Sequence, residues 1–179
     1  LSSMDLPGVD WLEAGIAQGE GGSQYLYTGY TPEGESAFKT RLWKGEGDTV
    51  QEITPEEWSV PGEETGGYEM ILSMAALDNG TLSVISYTSM QILSGEDGHL
   101  LEEEPTSSFY DGGIVTDGTN TYLCYSDVSD GRIEKRADGK SDGMETLSYP
   151  AGGQGDGTFT VGGSGNLSLA ALKDGTLFA

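Results

Sequence analysis

EMILSMAALDNGTLSVISYTSMQILSGEDGHLLEEE, residues Glu69–Glu104, spells out four strands and two tight turns in one uninterrupted run. The segments Met70–Ala76, Thr81–Tyr87, Ser89–Ser94 and His99–Glu103 are rich in Val, Ile, Leu, Thr and Tyr, as strands are. Between the first two, Asp78-Asn79-Gly80 supplies residues that tolerate positive φ, as a short hairpin requires, and Gly95-Glu96-Asp97-Gly98 turns the chain again before His99. In Leu82-Ser83-Val84-Ile85, Leu82 and Val84 point to one face and Ile85 to the other, so both faces of the central strand are apolar. A sheet covered on both sides needs that pattern, whereas a half-exposed antiparallel sheet alternates apolar and polar residues.

The same grammar recurs on either side. Upstream, Gln24–Tyr30, a turn at Pro32-Glu33-Gly34, Ala37–Lys44, a turn at Gly45-Glu46-Gly47-Asp48 and Thr49–Ile53 form a unit whose innermost strand falls within Leu12–Ala17. Asp10-Trp11-Leu12-Glu13 has capping-box spacing and predicts one helical turn before it. Downstream come Gly112–Thr116, the turn Asp117-Gly118-Thr119-Asn120, Thr121–Ser126, Arg132–Arg136 and Glu145–Tyr149. A last unit is expected in Thr158–Val161, the turn Gly163-Ser164-Gly165, Asn166–Leu172, Asp174-Gly175 and Thr176–Ala179, without its outermost strand.

Aligned on the first hairpin turn, the units place glycines at 22, 80, 118 and 165. The gaps bracket the roughly 40–50 residues of a four-stranded propeller blade, with the variation carried by loops. Pro55, Pro105 and Pro150 each follow an outer strand, where the chain leaves a sheet edge. The expected fold is therefore all-β, a β-propeller fragment of four-stranded antiparallel blades at about 12–53, 69–104, 112–149 and an incomplete 158–179; a two-sheet β-sandwich is the alternative.

Composition narrows the function. Eight Lys and Arg against thirty Asp and Glu give a formal net charge of −22, a field that repels phosphate backbones and anionic membrane surfaces, so no nucleic-acid partner and no membrane insertion are expected. No stretch approaches the roughly 18 apolar residues of a membrane span. The single cysteine, Cys124, has no second cysteine for an internal disulfide, and its place in Tyr122-Leu123-Cys124-Tyr125 makes it a small buried hydrophobe. Without an initiator Met or a charged leader, and with both ends open, the chain reads as a portion of an exported repeat array, extracellular or at the cell surface.

Met90-Gln91-Ile92-Leu93-Ser94-Gly95-Glu96-Asp97-Gly98-His99-Leu100-Leu101 resembles the repeat of quinoprotein-like and WD-like bacterial propellers, in which a strand ends at an Asp- and Gly-containing turn and resumes with a basic residue and two aliphatics. Tyr122–Ile133 follows it loosely. The tryptophan that usually closes the quinoprotein repeat is replaced by Glu102, so the resemblance implies the blade fold and no cofactor. The acidic, Gly-rich, cysteine-poor style is also similar to propeller portions that precede the solute-binding domain of some Gram-positive surface lipoproteins.

Signals for chemistry are sparse. His99, the single histidine, follows a tight turn and reads as a solvated turn residue rather than a base or metal ligand. Asp127-Val128-Ser129-Asp130-Gly131 falls one residue short of calcium-loop spacing and has no terminal Glu, so no metal is assigned. Thr54-Pro55-Glu56-Glu57, with Thr at the N-cap and Pro at the first helical position, predicts a single helical turn that presents Trp58. Trp58 either staples its loop to the sheet beneath, as large aromatics tend to, or serves as a ligand platform. The loops between units also carry Phe109, Tyr110 and Tyr149; aromatics amid Asp, Glu, Asn and Ser suit a carbohydrate or a protein partner. The expected function is a non-catalytic binding module, with Trp58, Phe109, Tyr110 and Tyr149 as ligand contacts. The alternative is part of a propeller hydrolase or lyase acting on carbohydrate through paired carboxylates.

Overall fold

The computed structural model of the chain describes residues 10–31, 39–58, 71–86, 89–105, 113–126, 131–140, 144–148 and 170–178. They form an all-β molecule. Sheet 1 holds β1 (Asp10–Gln18), β2 (Gln24–Thr31), β3 (Lys39–Glu46) and β4 (Thr49–Glu52). Sheet 2 holds β5 (Ile71–Ala76), β6 (Thr81–Ser86), β7 (Ser89–Ser94) and β8 (Leu100–Pro105), and sheet 3 holds β9 (Ile114–Thr116), β10 (Asn120–Ser126), β11 (Gly131–Ala137) and β12 (Met144–Ser148). A hairpin of β13 (Ala170–Ala171) and β14 (Leu177–Phe178) begins a fourth unit. Each four-stranded sheet is an antiparallel meander in sequence order. The first strands of successive units lie side by side: β1 by β5, β5 by β9, β9 by β13.

The sheets stack face to face, and the alternation of side chains along each strand decides which neighbour a residue meets. Between sheets 1 and 2, Ala17, Tyr25, Tyr27, Leu42 and Ile53 meet Ile71, Met74, Ala76, Leu82, Val84 and Leu93. The opposite face of sheet 2 sends Ala75, Ile85, Met90 and Ile92 against Ile114 and Leu123 of sheet 3. On the far face of sheet 3, Tyr122, Ile133 and Val115 meet Ala171 and Leu177. Leu82, Val84 and Ile85 are all fully buried and belong to two different cores, as the two-sided apolar pattern of β6 requires.

Two local expectations are corrected. Asp10–Glu13 is part of β1 and not a helical turn: Asp10 and Trp11 pair with Thr31 and Tyr30, and a bulge between Trp11 and Glu13 restores the register. A cap stabilises a helical turn by about 1 kcal/mol, less than a run of cross-strand bonds offers. The fourth unit is also in a different register. β13 occupies the first-strand position beside β9, so its first hairpin turn is Lys173-Asp174-Gly175 and not Gly163-Ser164-Gly165, which lies outside the described residues. The backbone bonds agree: Leu172 N–H donates to Thr176 O and Gly175 N–H to Leu172 O, as Leu77 and Gly80 bond around the turn of sheet 2. The sequence signal was Ala75-Ala76-Leu77-Asp78-Asn79-Gly80-Thr81-Leu82, echoed at Ala170-Ala171-Leu172-Lys173-Asp174-Gly175-Thr176-Leu177.

Candidate functional site

Four antiparallel strands per sheet return the chain to the end from which it started. The end of β8 therefore lies where β9 begins, and the end of β12 where β13 begins, provided the first hairpin turns share one end. They do. Asp78 N–H donates to Gly118 O at 2.6 Å, and a side chain at Gly118 would overlap the Asp78 carboxylate. A Cβ at Gly175 would lie 3.7 Å from Asp117 Oδ2, and Lys173 Nζ stands 3.6 Å from Asp78 Oδ2. Sheet 1 conforms, with Gly19 beside Ala76 and Tyr25 O–H donating to Gly95 O at 3.1 Å. The molecule thus has a turn end, where first hairpins interlock, and a joining end, where β4, β8 and β12 point and β5, β9 and β13 begin.

Trp58 is the one candidate contact within the described residues; Phe109, Tyr110 and Tyr149 lie outside them. It follows a single 3-10 turn, Glu56–Trp58, closed by Trp58 N–H donating to Pro55 O at 3.1 Å. The N-cap role expected of Thr54 is not used: its hydroxyl accepts from Leu42 N–H at 3.0 Å and donates to Glu52 Oε1 at 2.9 Å, tying the loop to sheet 1. Trp58 itself is half-buried. Its indole leans on the core between sheets 1 and 2 beside Leu100, and its Nε1–H donates to Gln91 Oε1 at 2.8 Å. Gln91 Nε2–H in turn donates to Glu103 Oε1 at 3.0 Å. Trp58 is a staple, holding the first joining loop across sheet 2.

The carboxylates divide by environment. Asp117 is buried in the first turn of sheet 3 and accepts from Thr119 N–H, Asn120 N–H, Asn120 Nδ2–H and Tyr122 O–H at 2.7–2.9 Å. Burial pushes its carboxyl up, but the bonds from Asn120, Tyr122 and Thr119 outweigh it and bring the pKa down to about 2. Asp97, exposed, is also brought down to about 2, chiefly by its hydrogen bond with His99 Nδ1 at 2.7 Å. His99 is exposed in that turn, as expected of a solvated turn residue. Among the described residues no cluster of His, Cys, Asp and Glu is placed to hold a metal ion, and no helix is long and apolar enough to cross a membrane. The segment 127–130, weighed above for calcium, lies outside them.

Asp117 makes an acid-linked prediction. Its folded pKa lies below the unfolded value near 3.9, so its contribution is present above that value and is lost as pH falls through about 2. Asp117→Asn is expected to cost about 2 kcal/mol at pH 7. The gap between wild type and variant in urea unfolding should narrow between pH 4 and 2. A gap that stays constant over that range would remove the carboxylate from the turn's stability.

Compared with protein-family models and with curated proteins, the chain matches none.

Proposed function

We propose that this chain is an arc of propeller blades serving as a non-catalytic binding module of a secreted or cell-surface protein, with its ligand-contacting surface at the joining end. The supporting observation is the parity of the sheets: four strands in each bring the ends of β4, β8 and β12 to the side where the next first strands begin. Trp58, Phe109, Tyr110 and Tyr149 all belong to these three joining segments. Loops gathered at one end of stacked blades are how this architecture collects contacts from several repeats. Support for a propeller over a sandwich comes from sheet 2, which is covered on both faces by different sheets; a two-sheet sandwich buries one face of each.

The ligand class that fits is a carbohydrate, with aromatic rings for stacking and surrounding Asp, Glu, Asn and Ser for hydrogen bonds. The test is affinity electrophoresis of the chain in gels containing soluble bacterial and plant polysaccharides, with alanine variants of the four aromatics. Phe109→Ala, Tyr110→Ala and Tyr149→Ala should each weaken retardation several-fold at unchanged melting temperature. Trp58→Ala should instead destabilise by about 2–3 kcal/mol, because it removes a staple from the core. Retardation unaffected by all four substitutions, or no retardation in any polysaccharide, would overturn the proposal.

A further inference from the structure

The first hairpin turns of sheet 2, sheet 3 and the fourth unit each carry an aspartate: Asp78, Asp117 and Asp174. Dozens of residues separate these acids in the chain, yet folding stacks them. Asp78 N–H donates to Gly118 O at 2.6 Å, and its carboxylate occupies the place of a Cβ at Gly118, one residue from Asp117. Asp117 Oδ2 lies 3.7 Å from the place of a Cβ at Gly175, one residue from Asp174. Each unit thus leans an aspartate on the turn of the next. Protonation near neutral pH does not relieve the repulsion: burial pushes Asp117 up but its turn bonds bring it down to about 2, and the Thr176 N–H lowers Asp174. Lys173 Nζ stands 3.6 Å from Asp78 Oδ2, but its side chain is 81% exposed, and such a pair contributes little. Arg136 is engaged inside with Glu134 and Glu104, Lys44 with Glu46, and Arg41 with Glu52.

We propose that ionic strength governs the docking of the units on one another: they pack firmly when their charges are screened and part at the turn end when they are not. The inference is independent of the binding role, which lies at the joining end. Unfolding relieves repulsion in a chain of net charge −22, because it moves the charges apart. A globule of this length is on the order of 40 Å across. At about 0.01 M salt the Debye length is roughly 30 Å, so repulsion reaches across most of the molecule. At about 1 M it is roughly 3 Å, shorter even than the distance from Lys173 to Asp78. Between these limits, near 0.15 M and about 8 Å, the stacked turn aspartates still repel while distant charges do not. The junctions between units are therefore the last places to be screened and the first to loosen.

The test is urea unfolding of the wild-type chain from about 0.01 to 1 M NaCl, with Lys173→Glu and with Glu20→Lys combined with Asp48→Lys, all at exposed turn-end positions. The wild-type midpoint should rise by at least about 1 M urea across the series. Lys173→Glu should fall below wild type at low salt, the double variant should lie above it, and all three should converge at high salt. Tetramethylammonium chloride, whose cation carboxylates do not chelate, should act as NaCl does at equal ionic strength. Without urea, hydrogen exchange of the Asp78 amide, bonded to Gly118 of the next unit, should be at least about tenfold faster at low salt than at high. The proposal is overturned by a midpoint indifferent to salt, by variant offsets that persist unchanged at high salt, or by an Asp78 amide that exchanges at one rate throughout. A rise in NaCl that tetramethylammonium chloride does not reproduce also overturns it, since that is the behaviour of a bound ion.

Discussion

Arg136→Ala is expected to cost about 3–5 kcal/mol, measured by urea unfolding, because it leaves a carboxylate buried without the guanidinium that compensates it. Arg136 lies on β11 between sheets 2 and 3 with its side chain 5% exposed. One terminal nitrogen reaches Glu134 Oε1 at 3.1 Å on the same strand, and the other reaches Glu104 Oε2 at 2.6 Å on β8. The Glu134 side chain is 3% exposed, whereas that of Glu104 remains 42% exposed and can be hydrated without its partner. The cost of Arg136→Ala therefore falls on Glu134. Glu134→Leu combined with Arg136→Met should recover most of the loss, since a buried ion pair replaced by apolar groups of similar volume is often neutral or stabilising. If Arg136→Ala unfolded at the wild-type urea midpoint, the guanidinium would contribute nothing between these sheets.

Gly98→Ala should be as damaging for a different reason. Gly98 has φ of +78° in the turn between β7 and β8 of sheet 2, where its N–H donates to Ser94 O at 2.9 Å. A Cβ there would overlap the carbonyl of Ile53, backbone of sheet 1 that cannot rotate away. Gly47 offers the control: it has φ of +58° in the corresponding turn of sheet 1, and a Cβ meets nothing. Gly47→Ala should cost about 1–2 kcal/mol, the torsional cost of an L-residue in left-handed backbone. Gly98→Ala should cost on the order of 3–5 kcal/mol, adding separation of sheets 1 and 2 to that cost. Equal losses for the two would mean that the sheets do not approach at Gly98.

The candidate site was half legible in the sequence. The joining segments and their aromatics could be named, because strand-and-turn grammar isolates whatever is neither strand nor turn. That all these segments leave from one end needed the strand count per sheet and the shared end of the first turns. Trp58 could be placed on its turn, but the choice between staple and platform needed Gln91, 33 residues away, to which its indole is bonded.

What the sequence determined by itself is local: turns at Asp78-Asn79-Gly80 and Asp117-Gly118-Thr119-Asn120, where positive φ or an Asx bond selects the residue types, and the β-branched runs between them. The two-sided burial of sheet 2 was local as well, written in Leu82, Val84 and Ile85. Asp10–Glu13 shows the limit of that logic, since capping-box spacing was overridden by pairing with β2. Only the tertiary structure decided which charges are interior. In Arg132-Ile133-Glu134-Lys135-Arg136, strand alternation puts Glu134 and Arg136 on one face and Ile133 on the other, and nothing local says what lies against either face. A strand between two neighbours has no solvent side, so those charges are buried and must find each other and Glu104 across the sheets.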